Sequence, residues 1–318
     1  MTVPHVPVLS PAQLPISLGT PLDGRSKIVV SDLINPYGFV VFRGYGVSSD
    51  QEFHDFIECF GLPNFTYAES FSNAVRRNRT PRVFTANEAP PEIEIFLHHE
   101  MAQTLVFPGQ LFFFCEQAPT DGGATPIGRS DLALTALETA QPDFVAKLRN
   151  LGVRYRNAMP DSADLASGQG RSWRDTLNVT NRKRAEQRLT ELGYNFRWLD
   201  NGGISVQTPP LLAVDEFGRG KEVFFNQIVA AAAGWTNDES DEEPRLCYGD
   251  YSRIDQDDLK AAIAVCYEHT VDLEWQTGDI ALLDNLKVMH GRRPFSGSRS
   301  ILASLCTPIS RPSLDSQR

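Results

Sequence analysis

The chain has 318 residues, 41% of them hydrophobic, which is enough for one catalytic domain of the size reached by closed β folds with insertions. Its formal net charge is −10, so phosphate backbones repel it and nucleic acid is not an expected partner. No apolar run approaches the roughly 20 residues that span a bilayer, and the five widely spaced cysteines contain no Cys-x-x-Cys pair, so no membrane span, disulfide framework or zinc ribbon is expected.

The first residues lack a basic stretch and an apolar signal core, which together with the cysteine usage predicts a cytoplasmic protein. Residues 1–25 are rich in proline and read as an extended arm ahead of a single catalytic domain over 26–310. A short helix is expected over 27–35, ended by Pro36, and then a buried strand over 38–44 bounded by glycines. Ser48 or Ser49 can cap the next helix, whose apolar face carries Phe53, Phe56, Ile57 and Phe60. A strand over 111–115 precedes a tight turn at Asp121-Gly122-Gly123. Ser130 or Asp131 is expected to cap a helix running towards Gln141, and a second helix covers 142–151.

A charged helix follows over 181–192, then strand-like pieces over 196–198, 204–206, 211–214 and 223–225. The acidic stretch 236–244 reads as a surface loop, and 257–269 as a helix with Leu259, Ile263 and Cys266 on one side. Strands over 279–283, 287–290 and 300–305 close the domain, and 311–318 reads as a frayed end. Many short strands with a few inserted helices predict a mainly β, α+β architecture: a barrel-like core with helices packed outside. Arg76, Arg77, Arg79 and Arg82 crowd around Thr80-Pro81, either as a solvated loop, the plainer reading, or as a site for an acidic substrate or a partner's carboxylates.

Phe96-Leu97-His98-His99-Glu100 carries the chemistry. In a strand, residues two apart share a face, so His98 and Glu100 point together and His99 points away. His-x-Glu alone is a weak signal and fits an ordinary exposed strand, unless a second imidazole joins it. Two histidines and a carboxylate leave three positions open on a metal, as non-haem Fe(II) oxygenases require. His5 lies in the proline-rich arm, and His54 and His269 lie on helices. His290 ends a core strand before Gly291, where a ligand opening onto a barrel mouth is expected. An acidic cosubstrate needs a cation, and Arg299 opens the last strand, whereas Arg292 and Arg293 read as loop residues at the surface or at the substrate.

With these motifs in order, the sequence resembles the taurine dioxygenase superfamily, closest to its clavaminate-synthase-like and syringomycin-hydroxylase-like branch. The resemblance runs from about Gly38 to Leu305. It rests on Arg82-Val83-Phe84-Thr85-Ala86-Asn87-Glu88, His98-His99-Glu100-Met101-Ala102-Gln103 and Leu111-Phe112-Phe113. It continues through Gly122-Gly123-Ala124-Thr125-Pro126, Phe225-Asn226, Asp284-Asn285, His290-Gly291-Arg292-Arg293-Pro294-Phe295 and Arg299. The resemblance implies a double-stranded β-helix (jelly-roll) with flanking helices. It also implies Fe(II) on His98, Glu100 and His290, and 2-oxoglutarate held at its distal carboxylate by Arg299 and Thr125. With O2, such an enzyme hydroxylates, desaturates or cyclises a small polar molecule and releases succinate and CO2. Asn87, Gln103 and Asn226 are candidates to line the substrate pocket, although each could equally satisfy backbone groups. Trp173 and Trp198 read as core. The alternative reading is a non-redox metal protein or zinc hydrolase on a cupin-like barrel, which has no need of the Thr125–Arg299 anchor. A binding protein that has lost catalysis fits poorly with an intact triad. Oligomeric state is left open.

Overall fold

The computed structural model describes residues 5–66, 76–86, 89–163, 170–234 and 244–316. Two sheets face each other around the main core. The larger contains β1 (Val8–Leu9), β2 (Phe39–Phe42), β3 (Asn64–Phe65), β4 (Phe84–Thr85), β6 (Val106–Gln117), β14 (Ile280–Asp284) and β17 (Ser300–Ser310). Its order is β1-β2-β14-β6-β17-β3, with β4 also pairing with β17. The smaller sheet, ordered β13-β8-β15-β5, contains β5 (Ile95–His98), β8 (Thr125–Arg129), β13 (Thr270–Leu273) and β15 (Val288–Arg292). Chain order alternates between the sheets, so β5 lies in the smaller and β6 in the larger, then β14, β15 and β17 in larger, smaller and larger.

The reason is the residue pattern. Along β6, Leu111 and Cys115 point inward with Ala281, Leu283, Ala303 and Leu305, and they meet Ile127, Leu273 and Val288 of the smaller sheet. The alternate residues Phe112 and Phe114 point outward and pack with Phe42, Phe53 and Phe56. That outer face is covered by α1 (Gly24–Tyr37) and α2 (Asp50–Glu58). Of the two expected caps it is Ser49 that starts α2, its side chain accepting from the Glu52 N–H. Helix α1 runs through Pro36 and ends instead at Gly38, whose left-handed φ of 83° lets its N–H reach Ile34 O. The proline-rich arm contributes β1, which pairs with β2 in parallel, Val8 opposite Val41.

Helices α3 (Ser130–Ala140), α4 (Pro142–Leu151), α7 (Ile228–Gly234) and α8 (Gln256–Glu268) pack through Leu134, Leu137, Phe144, Leu148 and Cys266 into a second core that includes Leu97 and Met289 of the smaller sheet. Neither Ser130 nor Asp131 caps α3. Both lie within its first turn, where Ser130 donates to Lys287 O and Asp131 accepts from Arg129 and Lys221. A third sheet, β10-β11-β9-β12, comprises β9 (Val153–Met159), β10 (Asn195–Trp198), β11 (Ile204–Gln207) and β12 (Leu246–Tyr248). With α5 (Trp173–Leu177) and α6 (Arg182–Glu191) it encloses a small core around Trp173, against which Trp198 stands edge-on.

The expected strands over 211–214 and 223–225 are single bridges, Val153 with Leu211 and Asp215 with Val223, because neighbouring prolines and turns prevent a continuous ladder. Residues 311–316 are held rather than frayed, with Arg311 donating to Leu212 O and Ala102 O and Leu314 N to Pro210 O. Of the acidic loop over 236–244, only Pro244 falls within the described residues. The small ladder of β7 (Asp121–Gly122) and β16 (Phe295–Ser296) fixes the expected glycine turn, with φ of 69° at both Gly122 and Gly123.

Candidate metal centre

His98 ends β5 and lies directly opposite His290 of β15 in the antiparallel ladder. Cross-strand neighbours on one face bring their side chains together, and the two imidazole centroids are 4.5 Å apart. Gly291 lets the strands approach this closely: a Cβ there would lie 2.4 Å from Ile95 O. Phe113 reaches across from the larger sheet to 5.2 Å from the His290 ring, so the pair sits between the sheets.

Glu100 completes the set, though not from the strand. The strand stops at His98, and Glu100 stands in the following turn, where Met101 takes a φ of 59°. The alternation expected of a strand still holds through this point, because both sides are pinned. His99 points away, 0% exposed, with its ring nitrogens 3.1 Å from Phe224 O and within hydrogen-bonding reach of Asn285 O. On the other side, Asn285 Oδ1 accepts from the Glu100 N–H at 2.8 Å, and its Nδ2 donates to Glu100 O at 3.0 Å and Pro108 O at 2.8 Å. Glu100 Oε2 lies 3.6 Å from His290 Nε2 and 3.9 Å from His98 Nε2. One ligand atom from each of the three falls within 4.8 Å of the others.

The donor set suits a divalent transition metal. His98 Nδ1 donates to Phe96 O at 2.8 Å, which fixes the tautomer and leaves the Nε2 lone pair for an ion. Burial works against ionisation of Glu100, but the adjoining His290 and His98 hold its carboxyl well below the usual range. Burial, then the neighbouring His98, pushes His290 down to about 4. Glu100 as a carboxylate and His290 as a neutral imidazole are thus in the forms that bind a metal at neutral pH.

The cleft beside them is partly open to solvent, and its lining includes Thr125, Arg299, Arg292 and Arg76. Arg299 stands one residue before β17; its Nε donates to Gly123 O at 3.1 Å. Burial, followed by the nearby Arg292, brings it down to about 10, and no carboxylate among the described residues acts on it. Thr125 Oγ1 accepts from Trp275 Nε1 at 2.9 Å, which leaves its own O–H to donate.

The other expected site residues separate. Asn226 is committed to the backbone: its Oδ1 accepts from Ile228 N at 2.9 Å, capping α7, and its Nδ2 donates to Ala213 O at 3.1 Å. It braces the segment behind His99 and does not line the cleft. Gln103 also stays out of the cleft lining, in the turn that follows Glu100. Asn87 lies outside the described residues. Arg292 is not a loop residue. It ends β15, 4% exposed, and donates to Ala89 O, Pro90 O and Ile93 O, so it secures the 89–93 segment at the cleft. Arg293 pairs with Glu94 and Asp272 away from the metal. His54 bonds Thr80 Oγ1, His269 closes α8 and His5 is exposed, so none competes with His290. Asn285 went unread as a functional residue, since its partners are distant in the chain.

Two imidazoles and a carboxylate, two of the three buried, gathered in a cleft between two β-sheets, match the ligand set of non-haem metal oxygenases. The model of the taurine catabolism dioxygenase TauD, TfdA family matches residues 6–305. The chain is 37% identical over 312 residues to a clavaminate synthase-like protein of Arabidopsis thaliana, covering 95% of this chain and 94% of that one. It is 26% identical over 297 residues to the dapdiamide synthesis protein DdaC of Enterobacter agglomerans, covering 88% of this chain and 85% of the other. PvcB of Pseudomonas aeruginosa, an Fe, alpha-ketoglutarate dependent oxygenase from an isonitrile synthetic pathway, shares the fold with a TM-score of 0.52 at 13% identity, over 96% of this chain and 88% of that one. The chain thus belongs to the TauD, TfdA family, and it is a dioxygenase. No helix among the described residues is long and apolar enough to cross a membrane.

Proposed function

We propose that the chain is an Fe(II)- and 2-oxoglutarate-dependent oxygenase that hydroxylates, desaturates or cyclises a small polar molecule. The observation that carries this is the convergence of His98, Glu100 and His290 within 4.8 Å in a cleft that also holds Arg299 and Thr125. The alternation of successive strands between two facing sheets supports reading the core as a double-stranded β-helix. His98, Glu100 and His290 would hold the iron, a two-histidine, one-carboxylate set that leaves it open to cosubstrate and O2.

Iron so bound, with 2-oxoglutarate and O2, supplies oxidation of a substrate C–H bond coupled to release of succinate and CO2. The residues do the positioning. Arg299 offers its terminal guanidinium nitrogens to the distal carboxylate, and Thr125 adds its hydroxyl proton. Phe113 and the aliphatic lining, Ile301 and Ala303, exclude water around the keto acid. A zinc hydrolase on the same ligands leaves the half-buried cation Arg299 without a role. Five buried cysteines, none of them in a disulfide, suit a reducing compartment such as the cytoplasm.

Anaerobic incubation with Fe(II) and 2-oxoglutarate, followed by O2 and a panel of amino acids and related metabolites, tests the reading. Substrate-triggered succinate release supports it, and hydrolysis of an ester or amide by the Zn(II) protein without 2-oxoglutarate contradicts it.

A further inference from the structure

Trp275 stands two residues beyond the end of β13, whose Leu273 lies opposite Thr125 in the antiparallel ladder with β8. Buried Leu273 and Trp275 alternate with exposed Asp272, Glu274 and Gln276, so the inward face of the strand continues through Trp275. The turn that follows is held from two sides. Gln276 N donates to Asp279 Oδ2 at 3.0 Å, and Gly278 N donates to Cys115 O at 2.8 Å. Asp279 is in turn gripped by Arg43, at 2.9 and 2.6 Å. The ladder before Trp275 and the turn after it thus fix where the indole stands, and its Nε1 donates to the buried Thr125 Oγ1 at 2.9 Å.

An indole N–H can only donate, whereas a threonine hydroxyl has one proton to give and two lone pairs to receive one. With the indole proton on one side of Oγ1, the hydroxyl proton is turned away from the ring, because two facing protons repel. No acceptor for that proton occurs among the described residues, and Thr125 borders the metal cleft. Arg299 borders it too, and packs so closely on Gly123 that a Cβ there would lie 3.1 Å from its Cδ. Its Nε is spent on Gly123 O, and its terminal nitrogens make no hydrogen bond among the described residues. Both groups therefore offer protons to the cleft. On the reading proposed above, they meet the distal carboxylate of 2-oxoglutarate, which can only accept.

We propose that Trp275 is a positioning residue for the cosubstrate: its indole N–H occupies the accepting side of Thr125 Oγ1 and so aims the Thr125 proton at the distal carboxylate. Trp275 does not line the cleft itself, so its effect passes through Thr125.

The test uses the whole protein with Fe(II), without O2, and titrates 2-oxoglutarate by the visible charge-transfer band of the keto acid chelate. Co(II) titration follows the metal site separately. The variants are Trp275→Phe, which keeps an aromatic ring and removes the N–H, Thr125→Val, which removes the hydroxyl, and the two combined. Thr125→Val should weaken 2-oxoglutarate at least about tenfold, the size of one charge-assisted hydrogen bond. Trp275→Phe should weaken it about three- to tenfold, as for one ordinary hydrogen bond. Co(II) affinity should stay the same in every variant. In the Thr125→Val background the tryptophan change should have no further effect, because the group through which it acts is gone. 2-Oxopentanoate, a keto acid without the distal carboxylate, should bind the wild type and Trp275→Phe equally.

A Trp275→Phe protein that binds 2-oxoglutarate like the wild type overturns this inference alone. So do losses that multiply in the combined variant, an equal loss for 2-oxopentanoate, or a fall in Co(II) affinity, each of which assigns Trp275 to packing. Thr125→Val binding 2-oxoglutarate like the wild type removes Thr125 from the anchor and this inference with it, while the iron site stands. A wild type that gives no band overturns the iron reading and this inference together.

Discussion

Asn285 holds Glu100 by both of its backbone polar groups, accepting from the N–H at 2.8 Å and donating to the carbonyl at 3.0 Å across 185 residues of chain. The side chain is wholly buried, and a third bond, to Pro108 O at 2.8 Å, ties the same amide to β6. Glu100 lies outside any strand, so this amide does for its backbone what a ladder would do. Asn285→Ala should strand a buried N–H and two carbonyls, at about 1–3 kcal/mol for each group left unsatisfied. Metal affinity should fall roughly 10–100-fold, the usual effect of removing a group that orients a ligand. Parallel Co(II) titration and thermal unfolding check both effects; unchanged metal affinity would show that Glu100 is placed without Asn285.

His99 is the buried neighbour of two ligands and bonds only carbonyl oxygens. His99→Leu should destabilise the fold by about 1–3 kcal/mol, because the neutral ring donates its single N–H to one of the facing carbonyls, Asn285 O or Phe224 O, and that acceptor is left unpaired. It should still bind one metal ion per chain. If metal stoichiometry dropped to zero in folded protein, His99 would be a ligand, and the faces of this segment would be reversed.

Arg299→Ala should weaken 2-oxoglutarate by about 2–5 kcal/mol, the cost of leaving a desolvated carboxylate without its cation, and leave iron binding nearly intact. Arg293→Ala should leave both unchanged, because Arg293 is occupied by Glu94 and Asp272 at the surface. Titration of 2-oxoglutarate into the Fe(II) protein distinguishes the two, and the reverse outcome would move the anchor to Arg293.

Asp131 anchors the start of α3 against Arg129 and Lys221. Burial works against its charge, but hydrogen bonds from those two cations prevail and bring it down to about 2. A carboxyl depressed in the folded state contributes stability above its unfolded value, near 3.9, and loses it as pH falls towards the folded value. The contribution is about 2 kcal/mol at pH 7. Asp131→Asn should lose that amount in urea unfolding at pH 7. Near pH 2 the difference between variant and wild type should have largely disappeared. A constant difference across that window would exclude the linkage.

Much of this molecule is legible in its residues. The apolar run over 38–44, a serine cap at 48 or 49 and the apolar run over 111–115 announce their elements, because short-range sterics and burial set them. His98 and Glu100 are found by two-residue spacing, and His290 by its place in a late core strand, although it stands midway along β15 and not at the strand end expected of it. What escaped depends on partners far away in the chain. Arg292 and Arg293 are adjacent and look alike, yet one is sealed by the carbonyls of 89–93 and the other faces surface carboxylates. Asn226 resembles a pocket amide until α7 forms behind it and takes its Oδ1 as a cap. The run Ile228–Gly234, four of whose seven residues are alanines, has too little amphipathic pattern to mark a helix; its packing on β5 does so.

The central claim is that His98, Glu100 and His290 together hold iron in a form that chelates 2-oxoglutarate. The most direct measurement is the anaerobic absorption spectrum of the protein with Fe(II) and 2-oxoglutarate, compared with that of His290→Ala. The wild type should give a visible charge-transfer band with one iron per chain, and His290→Ala should give no band and lose the iron. A His290→Ala protein that retains both the band and full iron occupancy would remove His290 from the ligand set and contradict the account.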